Sequence, residues 1–235
     1  VGEIGIPETP VCGTLGRTPE VAITASEAVQ HLPPARFTIF TTPVISPIIR
    51  LIAIVFLKLV GWKTVAEHPR DKGFVFTAAP HTSNWDSFYM LAVAAQERIA
   101  VHWLAKGGLF RFPFGGLMRW LGGIPVDRSL SRRSSLVDAA VAAFEAKPNL
   151  LLGISPEGTR SKVTHWKSGF YRIAEAAGVP VVPGFLDFGT KTGGAGAPIE
   201  MTGDPEVDLG RLRSYYENMK GRRPELFDPA SIRLR

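Results

Sequence analysis

Cysteine is almost absent from this chain of 235 residues. Cys12 stands alone, which excludes an internal disulfide and any cysteine-built metal site and fits a reducing compartment. Long apolar runs are missing too. The best, between Arg50 and Lys58, is seven residues, whereas a spanning helix needs roughly 20. His31, His68, His102 and His165 show no metal-ligand spacing. A Gly-x-Ser-x-Gly elbow, a phosphate-loop signature and a dinucleotide glycine fingerprint are all lacking, which leaves nucleophile-elbow hydrolases and nucleotide-loop enzymes unsupported. Residues 1–35 carry no basic segment followed by an apolar core, so they read as a loosely ordered extension and not as a signal peptide.

What is present is ordinary globular material, 45% hydrophobic and 20% charged, which excludes a disordered, collagen-like or multi-span membrane chain. The net charge of +6 is not evenly spread. Residues 101–172 hold 11 basic side chains against 4 acidic, while the flanking regions are close to neutral. A positive field concentrated in this way suits an anionic partner, whether a phosphate-bearing molecule, a nucleic acid or acidic lipid headgroups. A solvated basic surface is the plainer alternative.

Residues 36–64 form an apolar segment interrupted by Pro43, Pro47 and Arg50. A helix lying in one leaflet, with Arg50 and Lys58 reaching headgroups, fits this pattern. A buried core helix and a true span are the other readings. From about 73 onward, β-rich runs at Gly73–Ala79, Ile99–Leu104, Gly123–Val126, Leu150–Ile154 and Val179–Phe185 alternate with helical patterns. The helices are expected at Trp85–Arg98, Leu109–Leu121, Ser131–Lys147 and Lys167–Ala177, with a last one at Val207–Lys220. Such alternation predicts a single α/β domain over 65–235 with a mostly parallel central sheet flanked by helices. Gly193–Gly196 reads as a loop leading to a short return strand near Ile199.

Three places carry chemistry. His81 and Asp86 follow the first of these strands, in His-Thr-Ser-Asn-Trp-Asp. On one ideal helix, five positions rotate the side chain by a net of about 140°, so the two would diverge. They converge only if His81 sits in the loop and Asp86 in the first helical turn, with Ser83 or Asn84 capping. Asp86 would then fix the imidazole tautomer and leave the other ring nitrogen free as a base. Taken alone, the pair also suits a hydrogen-bonded structural histidine. The second place is Ser155-Pro-Glu-Gly-Thr-Arg-Ser161, where glycine permits close backbone approach and Arg160 can grip a phosphate with two donors. The third is Gly122–Arg128, a strand ending in a cation, as Lys106 ends the strand before it. Lys106, Arg128 and Arg160 would thus share one sheet edge with His81, a base beside an anion-binding rim.

This ordered set resembles the glycerolipid acyltransferase family, typified by 1-acylglycerol-3-phosphate acyltransferases. His81 and Asp86 match its histidine and aspartate separated by four residues. Gly123–Arg128 matches its strand ending in Asp-Arg, and Pro156–Ser161 its Pro-Glu-Gly-Thr-Arg-Ser block. Val179-Pro-Val-Val-Pro183 matches its late proline-bearing strand, and the whole likeness covers roughly 65–205. Departures are Pro80, where the family often has Asn, Ser155, where it has an aromatic, and Pro125, where it has a bulky apolar residue.

The resemblance implies an O-acyltransferase that moves a fatty acyl group from acyl-CoA or acyl carrier protein to the free hydroxyl of a lysophosphatidate-type acceptor in phospholipid synthesis. It implies His81 as general base oriented by Asp86, with no covalent acyl-enzyme. Arg128, Glu157, Gly158, Thr159 and Arg160 would bind substrate, Lys106 would assist electrostatically, and Pro183 would shape the donor site. No metal or further cofactor is implied. The expected partners are the lipid acceptor, the acyl thioester and the cytoplasmic face of the cell membrane, bound peripherally or monotopically, and not nucleic acid. An acyltransferase of the same mechanism acting on a glycolipid sugar or an amino-lipid is the alternative. A non-enzymatic lipid- or nucleic-acid-binding module is more remote, since the basic stretch lacks the interleaved aromatics of a single-strand platform.

Overall fold

The computed structural model describes residues 34–126 and 133–234, at backbone level only for 105, 106 and 133–135. Its central strand is β2 (Phe74–Ala78), whose residues 74–77 are all buried. Phe74 and Phe76 join an apolar cluster on one side of the sheet, and Val75 joins the cluster on the other. Burial on both faces is why this run reads as continuously apolar and does not alternate.

The chain enters through helix α1 (Ile45–Leu59) and continues as β1 (Lys63–Ala66), β2, α2 (Trp85–Glu97) and β3 (Val101–Lys106). A 3-10 turn (Gly107–Phe110) and short α3 (Gly115–Trp120) lead to β4 (Gly123–Val126), α4 (Arg133–Ala146) and β5 (Leu151–Ile154). Then come α5 (Gly169–Ala177), β6 (Val181–Asp187), β7 (Thr192–Ala195) and α6 (Pro205–Tyr216). The seven strands lie in the order β1-β7-β6-β2-β5-β3-β4. β6, β2, β5, β3 and β4 are mutually parallel, as expected, and their carboxyl ends share one edge. β7 runs antiparallel to β6 and carries β1 parallel to itself. α1 and α2 cover one face of the sheet through Leu57, Val93 and Ala94, while α4, α5 and α6 cover the other through Phe144, Phe170, Ile173 and Leu212.

Three expectations are corrected. Gly193–Gly196 is not simply a loop, because Gly193 and Gly194 lie within β7, paired on both sides. A Cβ at Gly193 would stand 2.8 Å from Leu186 Cδ2 and 3.1 Å from Val93 Cγ2, so glycine here permits α2 to pack closely on the sheet. The return strand near Ile199 reduces to a single antiparallel bridge with Val181. Leu109–Leu121 is not one helix, and Pro113 falls in the break between the 3-10 turn and α3. The four-residue β1 was not foreseen. At the carboxyl end, α6 is set by Asp204, whose carboxylate accepts from the amides of Glu206 and Val207, with Pro205 in the first turn.

Segment 36–64 does contain a helix. Ala53 and Leu57 of α1 are buried, whereas Ile48, Leu51, Ile52, Val55 and Leu59 are exposed. Arg50 does not reach outward as expected, since its Nε donates to the Gln96 carbonyl of α2 at 3.0 Å. Most of the 1–35 extension lies outside the described residues.

Candidate active site

The loop from β2 into α2 ends at the carboxyl edge of the parallel strands, where an open α/β sheet gathers ligands. His81 lies in that loop and Asp86 in the first turn of α2, the only arrangement in which the two can face each other. His81 Nδ1 and Asp86 Oδ2 are 3.7 Å apart, with side-chain exposures of 19% and 1%. That separation is longer than a hydrogen bond and close enough for the two charges to interact.

The local turn is built differently from the expected cap. Asn84 makes no capping bond with its side chain. Instead Asp86 Oδ2 reaches back to accept the amide protons of Thr82 at 2.6 Å and Ser83 at 2.7 Å, and Ser83 Oγ accepts from the Trp85 amide. Asp86 therefore shapes the loop that carries His81, and the positive end of α2 favours its charge. Its Oδ1 is buried and makes no hydrogen bond among the described residues. Burial raises the Asp86 carboxyl above its ordinary value, an effect opposed by the Ser83 and Thr82 amides and the neighbouring His81. Burial likewise lowers the His81 imidazole, against the attraction of Asp86 and assisted by the positive charge of Arg160. Burial thus favours the neutral ring, the form able to accept a proton.

The Pro156–Ser161 turn follows β5, the strand beside β2, and delivers its side chains unequally. Arg160 and Thr159 are exposed, and Thr159 Oγ1 accepts from the Ser161 amide at 3.3 Å. Gly158 takes φ +65°, the left-handed region in which a side chain is strained, and Lys167 lies directly over it. Glu157 turns inward. It is 4% exposed, and both its oxygens lie within reach of the His81 backbone amide, at 3.1 and 3.3 Å. Glu157 thus ties its own turn to the loop that carries the histidine. Lys106 ends β3 at the same sheet edge, and Arg128 lies outside the described residues. Pro183 sits inside β6, opposite Thr77 of β2.

Burial pushes the Glu157 carboxyl up to about 7, with Asp86 adding to the rise and the His81 amide opposing it. The folded protein therefore keeps a proton that the unfolded chain releases near 4.5. A raised folded-state value means that this contribution is full below pH 4.5 and is lost as pH climbs through about 7. Stability is expected to fall across that window, and Glu157→Gln is expected to flatten the fall. Urea midpoints of both proteins at about pH 5 and about pH 7.5 check it.

Other features of the site carry no sequence motif. Arg223 donates its amide to Thr82 Oγ1 at 3.2 Å, so the carboxyl-terminal segment closes on the histidine loop from 141 residues away. The Arg222 guanidinium stacks over Trp85 and Phe188. Tyr216 OH meets Thr77 Oγ1 at 2.9 Å and donates to the Gly184 carbonyl at 3.0 Å, tying α6 to β2 and β6. A cleft of about 500 Å³ opens beside the Pro156 turn between Trp103, Leu104, Ser155, Gly158, Lys167 and Phe170. The Ser155 hydroxyl is buried there without a partner among the described residues.

Comparisons with known proteins bear on the family and the fold. A family model described as Acyltransferase matches residues 63–186. A 1-acyl-sn-glycerol-3-phosphate acyltransferase of Salmonella typhimurium is 30% identical over 132 residues, 53% of this chain and 53% of the relative. One from Escherichia coli is 30% identical over the same length and shares. A chloroplastic enzyme of that name from Brassica napus is 33% identical over 112 residues, 46% of this chain and 32% of the relative. The chain thus spans about half the length of the bacterial relatives it matches. In fold it is similar to the 1-acyl-sn-glycerophosphate acyltransferase PlsC of Thermotoga maritima, at 19% identity and a TM-score of 0.50, covering 76% of this chain and 82% of that one.

Proposed function

The chain belongs to the Acyltransferase family, and we propose that it moves a fatty acyl group from an acyl thioester to the free hydroxyl of a 1-acylglycerol-3-phosphate-type acceptor in phospholipid synthesis. The observation that carries this is a partly exposed imidazole held beside a buried carboxylate, at the same sheet edge as the Pro156–Arg160 turn. The names of the curated relatives support the acceptor class.

In the reaction, His81 takes the proton of the acceptor hydroxyl on the ring nitrogen that does not face Asp86. The oxygen attacks the thioester carbonyl and the C–S bond then breaks. The proton passes to the departing thiolate, giving an ester and a free thiol. A thioester is already activated, so this reading needs no acyl-enzyme and no metal. Arg160 receives the acceptor phosphate. Its charge lowers the His81 imidazole, and a bound dianion offsets that charge, so the base strengthens when the acceptor is present. Acyl-CoA or acyl carrier protein serves as donor.

No helix among the described residues is long and apolar enough to cross a membrane. With 15 residues, α1 is roughly 22 Å long, short of the ~30 Å hydrocarbon core. Its exposed apolar face supports peripheral or monotopic attachment at the cytoplasmic face of the membrane, where a poorly soluble acceptor resides.

Thiol release from palmitoyl-CoA with and without lysophosphatidate tests the proposal. Release is expected to depend on the acceptor, and acceptor-independent release would point instead to thioester hydrolysis. Transfer to a glycolipid or amino-lipid hydroxyl by the same chemistry draws support from the departures at Pro80, Pro125 and Ser155. Competition between lysophosphatidate and such acceptors separates the two.

A further inference from the structure

The segment between β3 and β4 has an unusual surface. Phe112 is 98% exposed and Phe114 63%, with Leu109 and Leu117 also exposed. Phe110, by contrast, turns inward, its ring against Gly123 and beneath the Arg119 guanidinium at 5.7 Å. The turn is held by its own backbone, since the Phe114 and Gly115 amides both donate to the Arg111 carbonyl at 3.0 Å. The fold thus fixes the loop and leaves its largest apolar side chains in water.

The charges carried by this stretch of the chain have one sign. No acidic residue occurs between Glu97 and Asp127, a stretch that carries Arg98, Lys106, Arg111 and Arg119. Exposed aromatics among cations, without acids, complement an anionic lipid surface. The loop is also continuous with the α1 side of the molecule. Trp120 Nε1 donates to Thr42 Oγ1 at 2.8 Å, and the Ile39 amide donates to the Trp120 carbonyl at 2.8 Å, joining α3 to the turn before α1. In the sheet, β3 and β4 lie on one side of β2, while β6 and β7, under α1 and α2, lie on the other.

We infer that the Leu109–Leu117 loop is a second membrane-insertion element, seating Phe112 and Phe114 in the anionic bilayer that receives α1. The strand leading to His81 then lies between two apolar contacts. Two attachments hold the molecule in one orientation on the bilayer. This rests on the membrane-acceptor reading above and adds to it a device within the α/β domain.

The test uses the full chain as Cys12→Ser/Phe112→Cys, carrying a polarity-sensitive dye at 112, with vesicles of phosphatidylglycerol and phosphatidylcholine. The dye emission is expected to shift blue on binding. In the unlabelled chain, Phe112→Ser/Phe114→Ser is expected to weaken vesicle affinity at least tenfold while turnover of a short-chain, water-soluble lysophosphatidate is unchanged. Dye that stays water-like in a chain that sediments with vesicles, or undiminished affinity of the double variant, overturns the second attachment and leaves α1 as the anchor. No sedimentation at all overturns the membrane reading with it. A dye that shifts only when an acidic acyl carrier protein is added assigns the loop to a protein partner and overturns the bilayer. Failure of the catalytic reading shows separately, as no turnover of the soluble acceptor while the dye still shifts.

Discussion

Replacing His81 by alanine is expected to lower kcat by roughly 10²–10⁴, the usual worth of a positioned general base. Acceptor KM is expected to change little, because Arg160, proposed to receive the phosphate, lies on a different loop, after β5. The fold is expected to persist: the side chain is partly exposed, and the bond linking the loop to Glu157 runs through the His81 backbone amide, which alanine retains. Wild-type activity should fall toward acid as the imidazole gains a proton, with a midpoint below the ordinary 6.5 because burial lowers it. Thiol-release kinetics across pH for both proteins check this. An alanine variant with wild-type kcat would remove His81 from the chemistry.

Asp86→Asn is expected to be the other severe change, and to act twice. An amide can present one oxygen to the Thr82 and Ser83 protons, but without the charge those bonds weaken by about half. The expected cost is about 1–3 kcal/mol of stability, since the carboxylate is buried. The oxygen that keeps those bonds is also the one facing His81 Nδ1, so the ring loses its charged neighbour, while the NH₂ takes the buried Oδ1 place, where no partner lies among the described residues. A kcat loss of roughly 10²-fold or more is expected on that account. Urea denaturation separates the two effects. If kcat at a denaturant-free, fully folded temperature matches the wild type, Asp86 shapes the loop and does not orient the base.

Much of the candidate site was readable along the chain because its parts are local. A strand, a short loop and a helix start within residues 74–86 are enough to place His81 in the loop and Asp86 in the first turn. Short apolar runs gave β2 to β6, and the helical period gave the helices at Trp85–Glu97 and Gly169–Ala177 but not the break at Pro113. Where long-range packing decides, the reading failed. Gly193 looks like a loop residue until Val93 and Leu186 are seen against it. Arg50 looks like a headgroup contact until Gln96 of α2 supplies a carbonyl. Glu157 sits in a motif that suggests ligand contact, yet its direction is set by the His81 amide, 76 residues earlier.

By itself, then, the sequence determined which side chains lie near the strand ends, the alternating order of elements and the central excess of positive charge. All of these depend on short-range periodicity and composition. Only the tertiary structure decided which way those side chains point: Glu157 and Arg50 inward, Arg160 and Phe112 outward. Direction depends on which buried donors and acceptors need partners, and those partners come from strands and helices that are neighbours in space and distant along the chain.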